Sequence, residues 1–597
     1  MTSPQPRADD ERAPEPADAG LDATPPPEHS ALVRFAAGPG AVLLGSALVA
    51  AQAARMRAWI VDDAAITFAY ARSVAHGLGP VQQAGAPPVE GYSNPSWLTV
   101  LTLGHGLGLF DHGSLFGVSD LVWFPKLLAL LCVAGVLWCV RATTGSAVAT
   151  LFASVVLATN WSFVIWAFSG LENPLYGLLV AALAALLARA AVRGSLPGAR
   201  TAALAGVLAL LAALTRPDGL VYAGAYPLAL VLTVPRSALS VAGVVDRVVR
   251  PSVLAVGVFG APYGLFLLWR RAVFGQWVPN TAVAKAQGAP PLAQVWHQAV
   301  DVLGYAGWTS VAVVALAAAL VLRRPGPARA ELVAAGVPVG FAVLAFSVLQ
   351  PDWMALYRFA TPVWTAGALF GTLVLTRAWS SVRVAGSLGP VPVRLLARAA
   401  LVVAAVGALI LSALPQAASA ATFRSWPTLS MCSVAQRYGL MFNAYADRLG
   451  LPPRSSSLLL PDLGGTLLTS ELRVVDLAGL TDPVIARDYG AGDMAALRSY
   501  VFQEVRPTFV HVHGPWAQGP GLLPDTLRAE GYLAIYDSGT SVGPSAFDSD
   551  WVRTDAVTSP ARLASLRGWA HHEVPTAERL RAVSPLTTCD LPTGIPR

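Results

Sequence analysis

Charge is the first thing this sequence lacks. Asp, Glu, Lys and Arg make up only 13% of its 597 residues, where a soluble domain carries about 25%. With 54% hydrophobic residues and a mean hydropathy of +0.54, most of the chain is excluded from being an ordinary soluble domain. Cysteine is scarce as well. The four that occur show no metal-binding spacing. Cys132 and Cys139 would lie about 10.5 Å apart along one helix, too far to bridge. Cys432 and Cys589 fall in a separate C-terminal stretch and are expected to pair there. Residues 1–30, rich in Pro, Ala and acid, lack the basic start and short apolar core of a signal peptide. Such a segment cannot bury a core, so 1–32 is expected to be a disordered cytoplasmic tail.

What the sequence has in quantity is apolar length. Runs near 38–57, 121–140, 146–167, 174–192, 201–215, 219–235, 251–269, 302–322, 332–349, 358–376 and 399–418 approach the roughly 20 residues that cross a bilayer as a helix. They predict a polytopic α-helical membrane protein of about eleven transmembrane helices. The stretch 96–110, with His105 and its glycines, is too short and is read as an interfacial or re-entrant piece. With the N-terminus in the cytoplasm, the inner loops collect thirteen arginines between Arg141 and Arg398, as the positive-inside rule expects. The net charge of +6 is thus a topology signal and implies no nucleic-acid partner.

The same topology places the polar loops on the outer face. These are the Asp62–Asp63 pair, "VEGYSNPSW" with Glu90 and Tyr92, "SGLENP" with Glu172, "TRPDG" with Arg216 and Asp218, "RRAVFGQWVPNTAVAKAQ" with Arg271, Asn280 and Lys285, and "QPDWMALYRF" with Asp352 and Arg358. Beyond about 419 the pattern changes to short buried runs broken by Gly and Pro, such as "VVDLAGLTDP" and "FVHVHGPW". This predicts an extracytoplasmic α/β domain over 419–597, after a membrane domain over 33–418.

Each loop also has a plain reading. Asp62 and Asp63 open the segment "DDAAITFAYARSVAHG" and would serve as a helix start. Neighbouring side chains point differently, so one could face a site while the other caps. Arg216 and Asp218 could simply pair in a tight turn. His511 and His513 alternate on an expected strand and so face one side, but no further metal ligand is evident beside them. Taken together, however, the loops offer carboxylates that could activate an acceptor hydroxyl and cations that could hold a phosphate. Arg270, Arg271 and Lys285 break the positive-inside rule, which is what an anionic ligand would call for, and Arg358 poses the same puzzle. No nucleotide-binding glycine loop is visible, which argues against a soluble nucleotide-sugar donor.

These segments resemble the GT-C superfamily of polytopic glycosyltransferases. The two acids after the first span, "ITFAYARSVAHGLGPV", "VEGYSNPSW", "SGLENPL", "TRPDG", "FGQWVPNTAVAK" and "DWMALYRF" are similar, in order, to bacterial members of the kind that adds terminal β-(1→2)-arabinofuranose to cell-wall arabinan. The resemblance spans roughly 38–490. "QPDWM" replaces the Gly-Gly-Asp form usual in such proteins. It implies a multi-pass enzyme of the cytoplasmic membrane, with its active site outside, moving a sugar from a polyprenyl phosphate to a cell-envelope glycan. It also implies that Asp62 or Asp63 is catalytic. Arg216, Lys285, Arg358 and Arg271 would lie near the donor phosphate, with Glu90, Tyr92, Glu172, Asp218, Asn280 and Asp352 around the substrates. The sequence commits to no cofactor and leaves room for a divalent cation. A polyprenyl-phosphomannose donor, a lipid-linked glycan transporter and a non-catalytic wall-binding membrane protein are the competing readings.

Overall fold

The computed structural model describes residues 36–234, 240–285, 288–385, 391–538, 547–583, 586, 589 and 591–594. The expected tail at 1–32 lies outside them. All eleven apolar runs are helical. Six described helices are long and apolar enough to cross a membrane alone. Two more spans arise if each bent pair counts as one, Ala147–Thr159 with Trp161–Ala167 (80°) and Leu292–Ala306 with Trp308–Leu322 (91°). The breaks have local causes. Asn160 ends one half and caps the next, its side chain accepting from the Phe163 amide at 2.9 Å. Gly307 separates the other two halves with φ +93°.

The count of eleven exceeds what helix length alone supports. Three of the runs, 36–56, Ala199–Thr215 and 217–233, are helical but short or of mixed type. In 217–233, Pro217 opens a 3₁₀ stretch that becomes α-helix only from Ala225. The 96–110 piece is a single helix, Pro95–Gly106, about 18 Å long and too short to cross.

The last apolar helix, Val391–Ser425, carries on through position 418 into a domain with its own sheet. The strand order is Arg473–Asp476, Ser457–Leu460, Phe509–His513, Asp548–Arg553 and Tyr532–Asp537. The first three run parallel, and Asp548–Arg553 runs antiparallel to both of its neighbours. One face packs Leu459, Val475, Val510, Val512 and Trp551 into a separate core, while Leu458, Leu460 and Phe509 join the core shared with the helices. Alternation along each strand produces this division. Cys432 and Cys589 are joined by a disulfide with Cα atoms 5.6 Å apart.

Candidate active site

A short backbone splice sets the position of the acidic pair. The Val61 amide donates to the Ser169 carbonyl at 3.0 Å. The Asp62 amide donates to Leu429 O, and the Met431 amide to Ile60 O, both at 3.0 Å. The first loop is thereby stitched to "SGLENP" and to the start of the α/β domain. The Asp62–Ala75 helix begins at this junction. Gly170, with φ +91°, lies against it so closely that a Cβ would meet Ile60 at 2.9 Å and Ala64 at 3.1 Å.

The two carboxylates then diverge. Asp62 is buried and accepts from the Gly464 and Gly465 amides at 2.9 and 2.7 Å. Burial raises its pKa well above the usual carboxylate range, although those two amides pull the other way. Asp62 therefore anchors the domain to the helix. Asp63 keeps 30% of its side chain exposed and opens into a cavity of about 150 Å³.

That cavity gathers loops far apart in sequence. Its wall includes Asp63, Tyr92, Glu172, Arg216, Asp218, Lys285 and Arg358. The junctions of helices Asp62–Ala75, Asn173–Val192, Ala199–Thr215 and Pro327–Val348 all contribute, so these helix termini share one end of the bundle. Leu480 of the α/β domain closes one side.

The charged groups differ in how far they are already satisfied. Arg216 donates to Glu172 at 3.0 Å and to Asp218 at 2.9 Å, and stacks 4.3 Å from the Phe359 ring centroid. Burial opposes its charge, but the two carboxylates outweigh burial and raise its pKa. Glu172 also accepts from Asn94 at 2.8 Å, and Asp218 from the Tyr176 hydroxyl at 3.0 Å. Arg358 pairs with Asp352 at 2.6 Å and reaches Asp63 at 3.4 Å. Lys285 makes no ion pair among the described residues. Desolvation by the surrounding walls and the charge of Arg358 lower its pKa. The residue is nevertheless exposed to solvent.

Arg358 is presented by strained backbone. Leu356 and Tyr357 both adopt positive φ, at 62° and 52°, a conformation costing about 1–3 kcal/mol per residue. The indole of Trp166 donates to the carbonyls of Ala355 and Leu356 at 3.0 and 3.2 Å, which holds the turn.

The other expected site residues lie off the wall. Glu90 forms a buried two-point pair with Arg270 at 2.6 and 3.0 Å, and burial raises its pKa despite that partner. Asn280 donates to Gly479 O at 2.7 Å and Leu480 O at 3.1 Å, and its amide donates to Glu90 O at 3.1 Å. These bonds join the Glu90 loop, the Asn280 loop and "VVDLAGLTDP". Asp352 reaches the cavity only through Arg358. Arg271 is exposed, is absent from the wall, and donates to the Gly275 carbonyl. Sequence reasoning passed over Thr67, Asn94 and Thr281, which line the cavity; Arg270, expected among the outer cations that would meet an anionic ligand, instead neutralises Glu90. Thr67, Asn94 and Thr281 all lie inside the quoted motifs, so position was the available signal. Among the described residues, the cavity carboxylates do not form a group able to hold a metal ion; the two such groups lie in the α/β domain.

No family model matches the chain, and no curated protein matches it. Solved structures do. ArnT from Cupriavidus metallidurans bound to undecaprenyl phosphate aligns over 88% of this chain and 100% of its own, with 16% identity and a TM-score of 0.50. The same protein in the apo state aligns over 87% and 99%, with 15% identity and a TM-score of 0.52. The likeness is one of fold, that of a polytopic helical membrane protein.

Proposed function

We propose that this protein is a glycosyltransferase of the cytoplasmic membrane that moves a sugar, arabinofuranose as the first choice, from a polyprenyl phosphate to a cell-envelope glycan on the outer face. The observation that carries the reading is the cavity, where an accessible carboxylate, Asp63, faces Lys285 and Arg358 at one end of a membrane bundle. Glu172 and Asp218 are spoken for by Arg216, Asn94 and Tyr176. Among the described residues Asp63 has only the long contact to Arg358, so it is the lining carboxylate best placed to accept a proton.

The chemistry follows. An acceptor hydroxyl gives its proton to Asp63 as its oxygen attacks the anomeric carbon of the donor. The bond from that carbon to the phosphate oxygen breaks, and the polyprenyl phosphate leaves with the added negative charge. Lys285 and Arg358 take up that charge, Lys as a point charge and Arg through its planar fork. A positioned base contributes typically about 10²–10⁴-fold, and holding donor and acceptor in register adds to this. No divalent cation is needed for the phosphate in this scheme.

The donor's lipid would enter from the side. An apolar recess of about 390 Å³ lies between helices Ala147–Thr159, Trp308–Leu322, Thr361–Ala385 and Val391–Ser425. Its lining includes Val363 and Trp364, on the helix that begins just past Arg358. That ArnT was captured with undecaprenyl phosphate supports a lipid-phosphate donor for this fold. The test is an assay on membranes with and without the protein, fed radiolabelled polyprenyl-phosphoarabinose or polyprenyl-phosphomannose. Protein-dependent incorporation from the arabinose donor is expected. Incorporation from the mannose donor alone would reassign the sugar, and none from either would reject the enzyme.

A further inference from the structure

His511 and His513 lie two residues apart on strand Phe509–His513 and so project from the same face of the sheet. The turn after the neighbouring parallel strand, Ser457–Leu460, brings Asp462 against them. His513 Nε2 lies 2.7 Å from Asp462 Oδ2. One ligand atom from each of Asp462, His511 and His513 falls within 4.8 Å of the others.

The two nitrogens of His511 have different fates. Its Nδ1 lies 2.7 Å from Asp550 Oδ1, a fully buried carboxylate. Its Nε2 has no hydrogen-bond partner among the described residues, although the side chain is wholly buried. A buried polar atom left without a partner costs about 1–3 kcal/mol, so an orphan here calls for a ligand. Metal-binding histidines commonly donate one ring N–H to a carboxylate and bind the metal through the other nitrogen, and the Asp550–His511 pair has that form. Tyr445 donates to Asp550 at 2.8 Å, and Arg437 pairs with Asp548 at 2.8 Å and with Asp550 at 3.1 Å. With neutral histidines, three carboxylates against one guanidinium leave a net negative pocket.

We propose that Asp462, His511 through Nε2 and His513 form a binding site for a divalent transition metal ion, in the α/β domain and outside the cavity described above. Two imidazoles and a carboxylate suit zinc, with a water completing four-coordination. Binding replaces the hydrogen bond between His513 and Asp462, and His511 keeps its proton on Nδ1 toward Asp550. The site has a structural consequence. Asp462 immediately precedes the Leu463–Gly464–Gly465 turn whose amides hold Asp62. A metal there pins that turn to the sheet, and through Asp62 it steadies the helix that carries Asp63.

The experiment uses the purified full-length chain, stripped with a chelator and titrated with zinc chloride. One equivalent is expected to bind and to raise the melting temperature. Asp462→Asn and His513→Gln should each weaken zinc affinity by at least about tenfold, the smaller end of what even an outer-shell loss costs. His112→Gln, in the separate cluster of His76, His105 and His112, should leave zinc affinity unchanged. X-ray absorption on the zinc-loaded wild type decides the matter even if a variant fails to fold. Two imidazole nitrogens and carboxylate oxygen at about 2.0–2.2 Å support the site, whereas a three-imidazole shell moves the ion elsewhere and overturns it. Absence of stoichiometric zinc from the well-folded wild type, or full affinity in both ligand variants, overturns it equally.

Discussion

Replacing Asp62 with Asn separates anchoring from chemistry. Its two oxygens accept from two different glycine amides, and an Asn would turn an NH₂ toward one of them. The expected loss is about 1–3 kcal/mol of stability, seen as a lower melting temperature, with kcat within a few-fold of wild type. An Asp62→Asn variant of normal stability and no turnover would instead make Asp62 the reacting group. Lys285 yields a pH signature. Its pKa is lowered, so it loses its charge at a lower pH than an ordinary lysine. Because kcat/KM reports the free enzyme, kcat/KM for the donor should fall on the alkaline side below 10.5, the unperturbed value. Lys285→Arg should push that limb upward. An unmoved alkaline limb would take Lys285 away from the phosphate. The quoted motifs made Asp63, Lys285 and Arg358 legible in the sequence. They could not tell Asp62 from Asp63, because adjacent residues share every sequence signal, and only the fold around position 464 separates them. Arg271 and Arg270 illustrate the same limit: neighbours on one helix, one is exposed and the other is buried against Glu90.

At the scale of elements, the junction between the Asp62–Ala75 helix and the Gly464–Thr469 helix matters most. A Cβ at Gly464 would lie 2.0 Å from the Asp62 carbonyl oxygen and 2.7 Å from its Oδ1. Backbone cannot yield as a flexible side chain can, so Gly464→Ala should cost about 1–3 kcal/mol through overpacking and lower kcat with it. Circular dichroism melts and turnover on the same preparation check this, and wild-type values for both would show that the two elements move independently. The apolar runs announced the helices because hydrophobicity is local. The sharp bends at Asn160 and Gly307, and the 3₁₀ entry at Pro217, depend on which neighbours each segment meets, and apolar length alone carries no sign of them. The His511–His513 alternation was readable for the same local reason, whereas Asp462, 49 positions upstream of His511, becomes a neighbour only through parallel pairing of its strand.

For the whole molecule, the arginine-rich loops and the odd number of expected spans would place the cavity and the α/β domain on the outer side, the orientation we propose. A C-terminal alkaline phosphatase fusion should be active, and a reporter that folds only in the cytoplasm should stay dark; the reverse pattern would turn the protein over. The gathering of six sequence-distant loops at one end of the bundle is what this topology requires, since alternate loops must share a side. The sugar and the acceptor were not legible, because a cavity of about 150 Å³ records charge and room more sharply than it records hydroxyl stereochemistry. The central claim is that Asp63 is the base of a glycosyl transfer. Its most direct test is turnover of radiolabelled polyprenyl-phosphoarabinose onto an arabinan acceptor by purified wild type and by Asp63→Asn. Asn keeps the shape of the side chain but cannot take the acceptor's proton, so kcat should fall about 10²–10⁴-fold while melting temperature and donor binding hold. Near-wild-type transfer by a well-folded Asp63→Asn protein would contradict the account.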